Sequence, residues 1–153
     1  MLIEVIFRGL FSIVDFSFVK KLLIDAREVY FTSPEVNSPV TFSSAMRIIN
    51  SKKYVDLVIN TDCLQIKDKI VPKVFINIGR TNEEIEILLF FDSKDLKETN
   101  EKMNIDYVKI WTKEFQKKYN FEYYICQMDN ANEEEYYFDS NGTGQIYDKL
   151  QLL

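Results

Sequence analysis

The apolar and polar positions of this chain change period several times, and the changes divide it into elements. Residues 2–7 form an apolar run rich in branched and aromatic side chains, the pattern of a well-buried strand. Asp15 stands where a helix cap is expected. Phe18, Val19, Leu22 and Leu23 then make an apolar stripe at helical spacing while Lys20, Lys21 and Asp25 take the wet side, which predicts a helix to about Ala26. Residues 28–32 read as a short strand ending in a loop with Pro34 and Pro39. Thr41 or Ser43 starts a short helix that buries Phe42, Met46 and Ile49.

The middle of the chain has the period of strands. Residues 54–60 and 73–78 fit, with Val74, Ile76 and Ile78 alternating against Phe75 and Asn77. Residues 79–83 supply turn chemistry, and residues 84–91 return with Ile85, Ile87, Leu89 and Phe91 on one face, so an antiparallel hairpin is predicted. A long helix follows within residues 93–119, where Val108, Trp111, Phe115 and Tyr119 recur at steps of three and four. Lys113, Lys117 and Lys118 gather in its last turns, where cations favour the helix dipole. Residues 121–128 read as a strand and 129–135 as a loop. Residues 136–139 and 145–147 are set to close a hairpin around the Asn141-Gly142 turn. Hairpins with helices between them give an α+β fold: a mostly antiparallel sheet packed by one long helix in the C-terminal half and one or two shorter helices.

Composition narrows the class. A chain of 153 residues, 46% hydrophobic and with only four Gly and three Pro, has the material for one core and no evident linker, so residues 1–153 are expected to form a single domain. Glu4, Arg8 and Asp15 interrupt the apolar start, which lacks the basic leader and small-residue cleavage site of a signal peptide. No uncharged stretch is long enough to span a bilayer. Cys63 and Cys126 lack the dense pattern of a secreted disulfide scaffold, so a reducing cytoplasm is the expected location.

Charge is distributed unevenly. Residues 121–153 contain seven acids against one base, Lys149, whereas residues 1–120 are nearly neutral. Nucleic-acid and membrane-surface binding are therefore not expected, and a charge-steered partner would be cationic. The chain has no histidine, which excludes Ser-His-Asp and Cys-His catalysis and histidine-based zinc sites. Its four glycines form neither a GxGxxG motif nor a P-loop.

Three constellations remain. Ser17 and Lys20 have S-x-x-K spacing without the accompanying S-D-N and K-T-G elements, so an exposed helix face is the expected reading. The stretch from Asp139 through Asn141 and Thr143 resembles an EF-hand calcium loop, with oxygen donors at its first, third and fifth positions and Gly144 at the sixth. The resemblance implies a calcium site at Asp139, Asn141 and Thr143, but Leu150 stands where the family has its bidentate glutamate. The third is an acidic and aromatic segment, Asp129, Glu133, Glu134, Glu135, Tyr136, Tyr137 and Asp139. Carboxylates there accelerate encounter with a basic protein, and tyrosine rings add rigid contact area. Small size, an acidic edge, many aromatics and no catalytic set together give the expectation of a non-catalytic acidic protein-binding module. The general character is that of a bacterial immunity-type inhibitor of a basic toxin, such as a nuclease. The alternatives are a carboxylate- and tyrosine-based enzyme or small-molecule binder, with a divalent metal on the C-terminal acids, and a structural homo-oligomer that buries its aromatics.

Overall fold

A computed structural model describes residues 1–152; Leu153, the last residue of the expected domain, lies outside the described residues. The elements in order are β1 (Leu2–Leu10), α1 (Phe18–Asp25), β2 (Ala26–Ser33), α2 (Phe42–Ser51), β3 (Tyr54–Thr61), β4 (Leu64–Ile66), β5 (Lys69–Val71), β6 (Val74–Thr81) and β7 (Glu84–Asp92). After a 3-10 turn over Ser93–Leu96 come α3 (Glu101–Tyr119), β8 (Tyr123–Met128), β9 (Tyr136–Asp139), β10 (Gly142–Thr143) and a closing 3-10 turn over Asp148–Leu152. Eight strands make one antiparallel sheet in the order β10-β9-β8-β1-β7-β6-β3-β2, and β4 and β5 form a separate small hairpin. The fold is α+β, with its long helix in the C-terminal half.

Strand alternation decides which face of the sheet is covered. Ile3, Val5 and Phe7 of β1 stand in register with Phe91, Leu89 and Ile87 of β7, and Ile76 and Ile78 of β6 continue the rows to Ile59 and Leu57 of β3. All ten are buried, and the helices pack against them. Phe7 is the hub under α3, with ring centroids 4.6 Å from Phe115, 5.5 Å from Phe121 and 5.8 Å from Trp111. On α3 the stripe Val108, Trp111, Phe115 and Tyr119 faces the core, as its spacing predicts, and Asn104, Ile105 and Thr112 are buried with it.

Helix ends follow local chemistry. The Thr41 side chain and Ser44 form a reciprocal capping box at the start of α2, Asn100 caps Met103 at the start of α3, and Asn120 closes α3 in the left-handed region. Asp15 is not the cap of α1: Ser17 holds that position without a side-chain cap, and the Asp15 carboxylate two residues before it accepts from Ser17 N at 2.9 Å in the approach to the helix.

Three local expectations are corrected. The turn placed at residues 79–83 shrinks to Asn82-Glu83, because β6 continues through Gly79 to Thr81 and Asn82 supplies the one left-handed residue that the reversal needs. Residues 145–147 form a turn, not a strand; the partner of β9 is the two-residue β10. The β4–β5 hairpin has no counterpart in the sequence reading, since its three-residue strands are too short to show a period.

Candidate functional site

The acidic C-terminal segment divides between surface and core. Glu133 and Glu134 are exposed on the β8–β9 loop, while Asp129, Glu135, Tyr136 and Asp139 are half-buried. Glu135 is engaged locally, its carboxylate accepting from Asn132 Nδ2 at 2.7 Å. Asp139 accepts from Asn141 N at 2.8 Å, an Asx turn that sets up the reversal into β10. The Tyr136 ring lies close to Gly144, where an added Cβ would come within 2.6 Å of it.

Tyr137 does not belong to the surface. A register shift between Cys126 and Gln127 places the extra residue of β9 at Tyr137, so the Tyr137 and Phe138 side chains are both taken into the core, where they are 2% and 0% exposed. The Tyr137 hydroxyl donates to Met1 Sδ, and burial pushes the phenol far above its ordinary value. Simple alternation would have put one of the two rings outside.

The stretch that resembles an EF-hand is built as a hairpin. Asp139 pairs with Gly142 and Phe138 with Thr143 across β9 and β10, and Leu150 at the twelfth position is buried in the core. Asp139, Asn141 and Thr143 therefore lie along a two-stranded ribbon and do not wrap a central point. Among the described residues no group of three or more acidic or cysteine side chains converges as a metal site. Ser17 and Lys20 are both exposed at the start of α1. Cys63 and Cys126 are free thiols, and Cys126 is fully buried, which pushes its thiol far up.

The face of the sheet away from the helices carries a second constellation that the sequence reading missed. On the central strands its side chains include Glu4, Glu84, Glu86 and Asp56 against a single guanidinium, Arg8, while at the β2 edge stand Glu28 and Arg27, the latter paired with Asp62 at 3.3 Å. Among the described residues no lysine stands on any strand of the eight-stranded sheet; lysines occupy the helices, the loops and the small β4–β5 hairpin. Arg80 points the other way, into the core under α2. The layout is thus a carboxylate-bearing sheet face backed by a layer rich in lysine.

A groove of about 710 Å³ runs across this open face from Tyr123 to Tyr54. Its central row is Tyr123, Arg8, Glu86, Gly79 and Asp56, residues directly opposite one another on five strands. Arg8 Nε donates to Glu86 Oε2 at 2.9 Å, and its guanidinium lies 5.7 Å from the Tyr123 ring centre. Asp56 accepts from Asn77 Nδ2 at 2.8 Å and also from the Thr32 hydroxyl. Burial raises the Tyr123 phenol, the nearby Asp139 carboxylate raises it further, and Arg8 opposes both. The signal that points to this face in the sequence is the scarcity of lysine in the predicted strands of the sheet, where Lys73 at the start of one is the single case, combined with acids at alternate, off-core positions.

Comparison with known proteins gives two matches. The sequence profile of a family described as PABL017 Cdi1I immunity protein matches residues 2–147. One solved structure of similar fold is a chain of the crystal structure of the toxic C-terminal tip of CdiA from Pseudomonas aeruginosa in complex with immune protein. The two chains are 16% identical, the alignment covers 95% of this chain and 97% of that one, and the TM-score is 0.71. No curated protein sequence matches the chain. No helix among the described residues is long and apolar enough to cross a membrane.

Proposed function

The chain belongs to the PABL017 Cdi1I immunity protein family, and from that premise we propose that it is an immunity-type inhibitor that binds and silences a toxin domain. The observation that carries the reading is the family match over residues 2–147, nearly the full length of the chain. The charge layout supports a basic partner: exposed carboxylates at Glu133 and Glu134, with Asp129, Glu135, Tyr136 and Asp139 beside them, suit the capture of lysine and arginine side chains. A nuclease is the class of toxin whose phosphate-binding groove such carboxylates would occupy. The proposed place of action is the cytoplasm, in keeping with two unpaired thiols.

The experiment is capture of the partner from the source lysate at low and at high salt, followed by co-expression of the captured protein with the chain in a sensitive host. The expected result is one basic protein that arrests growth alone and is tolerated in the presence of the chain. Reversing Glu133, Glu134 and Glu135 to lysine is expected to slow association and flatten its salt dependence. A captured protein that is harmless by itself, or whose toxicity is untouched by the chain, refutes the inhibitor reading.

A further inference from the structure

The open face has a gap at its centre that its neighbours frame with opposite charge to a cationic guest. Gly79 lies between Glu86 on one flanking strand and Asp56 on the other. Adjacent antiparallel strands are about 4.8 Å apart, so the two carboxylate-bearing backbones stand roughly 10 Å from each other, with no side chain between them. An added Cβ at Gly79 would approach nothing closer than 3.9 Å. Since its backbone lies outside the left-handed region and its surroundings are open, neither turn geometry nor close packing demands glycine at this position. Glycine in the middle of a strand costs about 0.5–1 kcal/mol relative to alanine, so the gap is kept at some expense of stability.

We propose that the groove is the toxin-docking surface, and that a lysine or arginine side chain of the toxin enters over Gly79 between Asp56 and Glu86. The inference rests on the inhibitor reading above for the identity of the occupant. Asp56 has capacity left for the guest, since a carboxylate can accept about four hydrogen bonds and this one accepts from Asn77 and Thr32. Arg8 holds Glu86 from the opposite side, fixing the carboxylate beside the gap. Tyr54, 60% exposed, and Tyr123 stand at the two ends of the groove as flat rims for the rest of the contact. A layer rich in lysine on the helix side disfavours approach of a basic partner from that direction.

Two probes test this. Nona-arginine, titrated into the isotope-labelled full chain, is expected to shift amides of residues 54–58, 77–81 and 84–88. The toxin domain obtained as the captured partner is expected to lose about tenfold or more in affinity for Gly79→Tyr, which fills the gap. Gly79→Ala, which leaves most of the gap open, is expected to bind within about threefold of the native chain and reports any effect of the backbone alone. Glu84→Gln with Glu86→Gln supplies a variant of unchanged shape. Arginine shifts confined to residues 129–135, together with native toxin affinity in Gly79→Tyr and in the Gln variants, overturn the groove and leave the inhibitor reading standing. A native chain that neutralises no toxin removes the inhibitor reading and the proposed occupant together, even if arginine still binds the groove.

Discussion

Arg80 is joined to the backbone of Ile49: its Nη1 donates to the Ile49 carbonyl at 2.5 Å and so ties β6 to the end of α2. Its Nε donates to the Asn82 carbonyl at 2.8 Å, and the guanidinium lies 3.5 Å from the centre of the Phe11 ring. The cation is only 8% exposed. Arg80→Met should keep the bulk and lose the donors, leaving the Ile49 carbonyl without this partner; the expected cost is about 2–3 kcal/mol in urea unfolding, with an unchanged slope. A loss within experimental error would mean that solvent satisfies that carbonyl.

The same substitution should have opposite effects at two glycines. At Gly79 a methyl group meets open space, so Gly79→Ala should stabilise the fold by about 0.5–1 kcal/mol. At Gly144 a Cβ would stand 2.2 Å from the Tyr136 carbonyl oxygen, so Gly144→Ala must push β9 and the closing turn apart. Its expected cost is about 1–3 kcal/mol, and near-ultraviolet circular dichroism should report the displaced tyrosine.

The two thiols should differ in both reactivity and titration. Cys126 is 0% exposed, whereas Cys63 is half-buried near the surface beside Thr61. A thiol reagent should therefore label one cysteine in the native protein and two in denaturant. Burial raises the folded thiol of Cys126 above its ordinary value of 9.0, so its contribution to stability is complete below that value. It is lost as pH rises beyond it, because the unfolded chain ionises first. Urea midpoints at about pH 8 and about pH 10 should fall less steeply in Cys126→Ala than in the native protein.

At the acid end the informative pair is Tyr107 and Asp68. The Tyr107 hydroxyl donates to the Asp68 carboxylate across the β4–β5 turn and holds its pKa below the ordinary 3.8. A lowered folded value adds stability above the unfolded pKa, and that stability disappears as pH falls through the folded one. Tyr107→Phe should therefore be less stable than the native chain at neutral pH, and the two should converge near about pH 2. A constant difference across that range would assign the effect to packing.

The fold was legible where one face of an element carries a sustained period. The β6–β7 hairpin and the buried stripe of α3 are of this kind, because Ile76, Ile78, Ile85, Ile87, Val108 and Trp111 each occupy the position that their spacing implies. Gly79 was misread because a glycine near Asn82 looks like part of the turn, while its actual role depends on Glu86 and Asp56, which pair with it from other strands. The acidic segment drew attention because Glu133, Glu134 and Glu135 adjoin in sequence. The acids of the open face are dispersed from Glu4 to Glu86 and meet only through strand order, which local periodicity does not encode. Tyr137 was misplaced by a single inserted residue, the kind of event that reverses alternation without altering composition.

The position of β1 within the sheet has a consequence for how the chain is made. This strand leaves the ribosome ahead of both its partners, yet Ile3 must wait for Phe91 on one side and Met128 on the other. Until residues 123–128 have emerged, Ile3, Val5 and Phe7 belong to a strand with at least one unsatisfied edge, a template for pairing with another nascent chain. Ribosome stalling before β8 should therefore yield species prone to aggregation, and the speed of late translation becomes part of what determines the yield of folded protein.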